Sequence, residues 1–184
     1  MNSSATAAGH SPIDDFSQCH AGILGHLEQL GTLPALLEPA ARARQIAADT
    51  VSFFRQAVYE HHAEEEKELF PAVLASAAKG EERDRVQALV NTLTTEHRQV
   101  EAAWSKLEPK LKAVAKGHDT DVDGADIQAL VDCYQAHARF EETVFLPLSQ
   151  TILGRNSNHL AALGVSMHMR HAMPQVLQRF AGRL

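Results

Sequence analysis

Apolar residues recur along most of this chain at steps of three and four, the spacing that places them on one face of an α-helix. A first helix is predicted to begin at Ile13 and to end at Gly31 and Pro34, residues that commonly terminate helices. The pattern is clearest in the third predicted helix, whose inward positions are Val86, Val90, Leu93, His97, Val100, Trp104, Leu107 and Leu111.

Two further helices complete the predicted fold. One begins after Pro39 and runs to Ala72, and Pro71 predicts a kink or an early end there. The other covers residues 127–148. Four amphipathic helices joined by short connections predict an all-α, up-down-up-down four-helix bundle with an additional short C-terminal helical segment.

The connections are read from turn-forming residues. Lys79 and Gly80 predict one turn, and the polar segment 118–124 predicts a loop in which Asp123 caps the next helix. The predicted parts of the chain are a disordered tail over 1–12, the bundle over 13–153 and a helical extension packed on it over 154–184.

Composition excludes several classes of protein. The 184 residues are enough for one domain with a real core, and a net charge of −6 without a basic patch argues against a nucleic-acid partner. No apolar run is long enough to span a membrane and the N-terminus does not resemble a signal peptide, so we expect a cytoplasmic protein with no membrane partner. Cys19 and Cys133 form neither a disulfide framework nor a zinc motif.

The candidate chemistry lies in a motif that occurs twice. His61 is followed by Glu65 four residues later and by a proline ten positions later, and the pattern returns with His137, Glu141 and Pro147. Residues four apart lie on the same face of a helix, so each copy can aim an imidazole and a carboxylate at one point. Such pairs on two helices are typical of a metal site inside a helical bundle.

Two more histidines, His20 and His97, fall in the apolar stripes of the other two predicted helices. Burying one unpaired ionisable group costs several kcal/mol. Several such groups would together cost about as much as the whole free energy of unfolding of a typical protein, roughly 5–15 kcal/mol. Four imidazoles and two carboxylates suit iron, manganese, zinc or cobalt, and six ligands suit two metal ions better than one structural zinc. We therefore predict a metal site whose ligands are His20, His61, Glu65, His97, His137 and Glu141.

These motifs resemble the hemerythrin-like family, the HHE cation-binding domain. The resemblance covers roughly residues 13–150, on Cys19-His20-Ala-Gly-Ile23, His61-xxx-Glu65-Glu with Leu69-Phe70-Pro71, Glu96-His97-Arg98, and His137-xxx-Glu141-Glu with Pro147. It implies two iron ions joined by an oxo or hydroxo bridge, with zinc or manganese as replacements in a purified sample. It also implies that the four histidines bind terminally and that both carboxylates bridge.

The chain departs from the oxygen-carrying members of that family at Glu101. Those members have a second histidine there, one turn after the first on the third helix. The departure argues against simple oxygen carriage and favours a protein that binds or senses O2, NO or oxidants such as H2O2, with no protein partner identified. An enzyme acting on peroxide or on ferrous iron is the alternative, as is an iron donor in repair of damaged iron centres.

Some assignments stay open at this level. His62 and Glu66 form a pair as well spaced as His61 and Glu65, and only the alignment of the prolines favours the latter. Glu101 or His62 could supply a further ligand. The Met and His residues of segment 166–173 could suggest copper, but a packing helix is favoured.

Overall fold

The computed structural model describes residues 12–155, with side chains described from residue 18 onward. Within that range every regular element is helical. The elements are α1 (Pro12–Phe53), a first π-helical segment (Phe54–Val58), α2 (Tyr59–Glu64), a second π-helical segment (Glu65–Leu69), α3 (Phe70–Ser76), α4 (Glu81–Ala115), α5 (Gly124–Phe140), a third π-helical segment (Glu141–Phe145) and α6 (Leu146–Gly154).

The predicted end of the first helix at Gly31 and Pro34 is wrong. Helical structure continues from Pro12 to Ser76, with Pro34 and Pro39 inside α1. A proline costs a helix about 3 kcal/mol but does not forbid it, and the neighbouring residues are strong helix formers such as Ala, Leu and Arg. The described chain therefore has three uninterrupted helical stretches where the sequence predicts four.

The chain divides into two compact units, Met1–Ala43 and Arg44–Leu184. The described part of the first unit is the N-terminal portion of α1. Its large apolar side chains are exposed, namely Ile23, Leu24, Leu27, Leu30, Leu33, Leu36 and Leu37.

The second unit holds the buried core, in two apolar clusters. One contains Phe70 of α3 and Phe145, and the other contains Trp104 of α4, on which the ring of Phe54 stacks at a centroid distance of 4.0 Å. Along α4 the first cluster ends with Leu93 and the second begins with Val100. The part of α4 between these two residues carries His97, so this buried histidine lies between two apolar layers.

The turn predictions are confirmed. Gly80 has a φ of 92°, which favours glycine, and α4 begins at the next residue. The side chain of Asp123 accepts a hydrogen bond of 2.9 Å from the backbone N–H of Ala125, which makes it the N-cap of α5. The last described helix, α6, ends at Gly154.

Two of the π-helical segments have the same relation to a proline. Each begins at a carboxylate, Glu65 or Glu141, and ends two residues before Pro71 or Pro147. A proline cannot donate to the carbonyl four residues back and its ring crowds that carbonyl, which favours a widened turn just before it. The helix therefore continues through Pro71, where the sequence predicts a kink or an early end.

The predicted tail lies almost entirely outside the described residues, as does the extension beyond residue 155 with its Met and His segment. Across residues 12–155, none of the helices combines the length and apolar character that crossing a membrane requires.

Candidate metal centre

Three buried histidines from three different elements meet in one group. His62 lies on α2, His97 on α4 and His137 on α5, and each is at most 2% exposed. The rings of His62 and His97 are stacked, with centroids 3.9 Å apart and planes inclined by 5°. The ring of His137 stands nearly perpendicular to both, at 5.6 Å from His62 and 4.8 Å from His97.

A second group consists of His61, Glu65 and Glu141. The Nε2 atom of His61 lies 3.2 Å from Oε1 of Glu65, so the predicted pair one turn apart does form. The side chain of His61 is 38% exposed, whereas Glu65 and Glu141 are buried. Adjacent helical residues differ by about 100° in direction, which is why His61 and His62 point into different groups.

The two groups are neighbours, connected through their carboxylates. The Oε2 atom of Glu65 lies 3.2 Å from Nε2 of His97, and Oε2 of Glu141 lies 3.9 Å from Nε2 of His137. Within each group, the candidate ligand atoms all lie within 4.8 Å of one another. Glu65 therefore stands between His61 of its own helix and His97 of the three-histidine group, and Glu141 approaches that group through His137 of its own helix.

Several of these buried atoms have no hydrogen-bond partner among the described residues. They are both ring nitrogens of His62, the Nε2 atoms of His97 and His137, and Oε2 of Glu65. The 3.2 Å contact between His97 and Glu65 is within ion-pair distance but lacks hydrogen-bonding geometry. A buried polar atom left unpaired costs about 1–3 kcal/mol, and a metal ion would use these lone pairs. The residues present therefore fit a metal.

Without metal, the two carboxylates compete for one proton. Burial, and then the adjacent carboxylate of Glu65, raise the pKa of Glu141 to about 9. Burial also acts to raise the pKa of Glu65, but contacts with His97, Glu141 and His61 outweigh it and hold that pKa at about 2. The pair thus carries a single proton near neutral pH, on the Glu141 side.

The histidines have unequal proton affinities. Burial, and then the neighbouring His97, lower the pKa of His62 to about 4. Burial also lowers the pKa of His137. For His97 burial acts in the same direction, but the carboxylates of Glu65 and Glu66 outweigh it and raise its pKa. Two of the three imidazoles are therefore neutral near pH 7, which is the form that binds metals.

Outer carboxylates contact the opposite ring nitrogens. The Nδ1 atom of His97 lies 2.8 Å from Oε1 of Glu66, and Nδ1 of His137 lies 3.2 Å from Oε2 of Glu96. An ionised carboxylate only accepts hydrogen bonds, so each Nδ1 donates. In the neutral form that binds metal, both rings then carry a lone pair on Nε2 toward the interior, the arrangement that orients metal-binding histidines.

The structure brings together five of the six predicted ligands, namely His61, Glu65, His97, His137 and Glu141. His20 lies in the other unit on an exposed part of α1 and is in neither group, so its role stays a prediction. His62, for which the sequence favours no ligand role over His61, is in the three-histidine group. The sequence feature that indicates His62 is its spacing of four residues from Glu66, the same as that of His61 from Glu65.

Comparison with known proteins agrees with this donor set. The family model described as "Hemerythrin HHE cation binding domain" matches residues 11–149. An uncharacterized protein of Haemophilus influenzae is 26% identical over 163 residues, which cover 85% of this chain and 91% of the relative. No solved structure matches significantly. The family match spans well over half of the chain and includes every member of both groups, and the chain therefore belongs to the hemerythrin HHE cation-binding family.

Proposed function

We propose that this protein binds two metal ions, iron in the cell, and uses them to bind or sense a small ligand such as O2, NO or H2O2. The three-histidine group is the candidate site for one ion and the group of His61, Glu65 and Glu141 for the other. Zinc or manganese would replace iron in a purified sample, because the same donors suit these ions.

One observation carries this proposal, namely the set of buried nitrogen and oxygen atoms without hydrogen-bond partners. His62, His97, His137 and Glu65 all contribute to it, and their atoms converge on two neighbouring points. In a purely structural core, the desolvation cost of these groups would be left uncompensated. Metal binding would offset that cost.

The chain's own residues would have distinct roles around the ions. The neutral imidazoles would supply donors without adding charge, and the two carboxylates, lying between the groups, would offset part of the metal charge. The apolar layers around Phe145 and Trp104 would keep bulk water out. A bound iron pair would supply the redox and ligand-binding chemistry.

A recess of about 360 Å³ lies beside the three-histidine group and supports access for a small ligand. It is lined by Tyr59, His62, Ala63, Glu66, Lys67, Arg98 and Glu101. His62 is the one member of the two groups in this lining. A recess of this size can admit a diatomic molecule or peroxide.

The finer features of the sequence prediction belong to the same proposal. We infer that His20 is a further ligand, on the basis of its position in a stripe of apolar residues at steps of three and four. A His20→Ala variant tests this directly, since iron bound with the same stoichiometry and affinity as in the wild type would remove His20 from the set.

The decisive experiment is metal analysis of protein purified without chelator, followed by anaerobic titration of the metal-free protein with Fe²⁺. We expect about two ions per chain. His61→Ala should weaken or abolish binding of one ion, while His118→Ala, which removes an exposed histidine, should change neither stoichiometry nor affinity. One zinc per chain, or no tightly bound metal at all, would contradict the proposal.

A second step distinguishes a binding protein from an enzyme. The reduced, iron-loaded protein is mixed with O2, NO or H2O2 while its optical spectrum is recorded. A saturable change without turnover supports binding or sensing, whereas sustained consumption of peroxide identifies the enzymatic alternative.

A further inference from the structure

Arg98 joins two carboxylates on the outer side of the three-histidine group. Its side chain is 54% exposed, and Nη2 lies 2.5 Å from both oxygens of Glu66. Nη1 lies 2.5 Å from Oε2 of Glu101, one turn further along α4. The guanidinium thus donates to both carboxylates at once, which its planar fork of donors allows.

Each of these carboxylates faces a histidine of the group on its inner side. Oε1 of Glu66 accepts a hydrogen bond of 2.8 Å from Nδ1 of His97. Oε1 of Glu101 lies 3.5 Å from Nδ1 of His62, within ion-pair distance but outside hydrogen-bonding geometry. The five side chains therefore form one connected arrangement that starts and ends at two histidine rings.

Those two rings are also in contact with each other. His62 and His97 are stacked at 3.9 Å with nearly parallel planes, and both direct Nδ1 toward the carboxylates. A rotation of one ring would disturb the stacking and its carboxylate contact together. Holding the two carboxylates in place therefore constrains both rings.

We propose that Arg98 is a positioning residue for the metal centre, which acts through Glu66 and Glu101 to fix the orientation of His97 and His62. Arg98 itself touches neither a candidate ligand atom nor the interior of either group. This role rests on the proposed metal binding, because its consequence is that both Nε2 atoms remain directed at the metal. Removing Arg98 leaves two carboxylates repelling each other at the edge of the recess and frees the rings to turn.

The alternative is that Arg98 makes only an ordinary surface ion pair, and the chain contains a matched control for that case. Arg155 donates to both oxygens of Glu82, at 2.8 and 2.7 Å, and its side chain is 51% exposed. Glu82 is 23% exposed, close to the 25% of Glu66. Arg155→Ala therefore removes a pair of similar exposure that, within residues 18–155, contacts no histidine.

The experiment compares Arg98→Ala with Arg155→Ala in the full-length protein, with Co²⁺ and Fe²⁺ as probes in anaerobic titrations. Loss of a partner that orients a ligand histidine weakens metal binding about 10- to 100-fold, and we expect that for Arg98→Ala. Arg155→Ala should bind like the wild type, with a comparable shift of the urea midpoint in both variants. Arg98→Lys should recover only part of the affinity, because an ammonium cannot match the guanidinium's geometry at both carboxylates.

A second readout requires no metal. In the metal-free wild type, at a pH high enough for His97 to be neutral, nitrogen NMR of the imidazoles should show His97 protonated at Nδ1, and Arg98→Ala should shift that signal toward a mixture of tautomers. Arg98→Ala binding metal with wild-type affinity, or leaving the His97 signal unchanged, would overturn the inference. If the wild type itself binds no metal, the proposed function fails, and the tautomer comparison still decides whether Arg98 positions these rings.

Discussion

Glu141 gives a sharp test of the site, because its replacement by glutamine should change the stability of the metal-free protein and its metal affinity in opposite directions. Glu141 is 6% exposed, and burial beside Glu65 raises its pKa from 4.5 to about 9. Below pH 4.5 it is protonated in both the folded and unfolded chains. As the pH rises from 4.5 toward 9, the unfolded chain loses the proton while the folded one keeps it, so stability falls.

The size of the effect follows from the pKa difference. Between pH 4.5 and 7 the wild type should lose up to ~3 kcal/mol through this group, at 1.36 kcal/mol per pH unit. Glu65 does not offset this, because its pKa of about 2 means that its contribution is already complete above pH 4.5. A glutamine amide mimics the protonated carboxyl, so at pH 7 the Glu141→Gln variant should be more stable by up to the same ~3 kcal/mol.

The assay is urea unfolding of chelator-treated protein between pH 7 and 9. The wild type should lose up to ~1.4 kcal/mol per pH unit relative to the variant. His97, whose pKa is also raised, contributes to both proteins and cancels in their difference. Glu81→Gln, at an exposed position at the start of α4, is the control and should follow the wild type.

Metal acts in the opposite direction. With Fe²⁺ or Zn²⁺ present the wild type should gain stability, by about 2.7 kcal/mol at a free metal concentration of one hundred times Kd. Glu141→Gln should gain less, because an amide is a weaker metal ligand than a carboxylate. A metal-free variant that is less stable than the wild type at pH 8, or that shows the same pH slope, would refute the shared-proton description of Glu65 and Glu141.

Two predictions concern the scaffold. Asp123→Ala removes the hydrogen bond to Ala125 and should cost about 1 kcal/mol in chemical denaturation, whereas Asp121→Ala, at an exposed loop position, should cost under about 0.5 kcal/mol. Trp104→Ala should cost about 3–5 kcal/mol in the same assay, because Trp104 is 1% exposed and its ring stacks on Phe54. A loss below about 1 kcal/mol would contradict the described core.

The sequence predicts a local feature best where a single physical requirement decides which residue can stand at a position. Gly80 and Asp123 are of this kind, since a positive φ and an N-cap each demand a narrow choice of residue. The end of the first helix could not be decided in this way. Pro34 and Pro39 each weaken a helix, but whether the chain tolerates them depends on the sum of propensities around them.

Within the site, spacing identifies residue types and faces but not which neighbour is buried. Reasoning from one helical face forces a choice between His61 and His62, because the two point about 100° apart. In the structure two groups lie side by side, so both directions are used. Spacing does not predict the arrangement of Arg98 with its carboxylates either, because it depends on how the second π-helical segment, which carries Glu66, lies against α4.

The departure at Glu101 acquires a physical meaning in this setting. Glu101 stands where the oxygen carriers have a histidine, and here it faces His62 at 3.5 Å while Arg98 holds its other oxygen. The buried imidazole that completes the three-histidine group is therefore supplied by α2, and Glu101 on α4 serves as its outer neighbour. The same residue also lines the recess. Glu101 therefore borders both the His62 ring and the recess that we propose for ligand access, so a change there should alter ring orientation and access together.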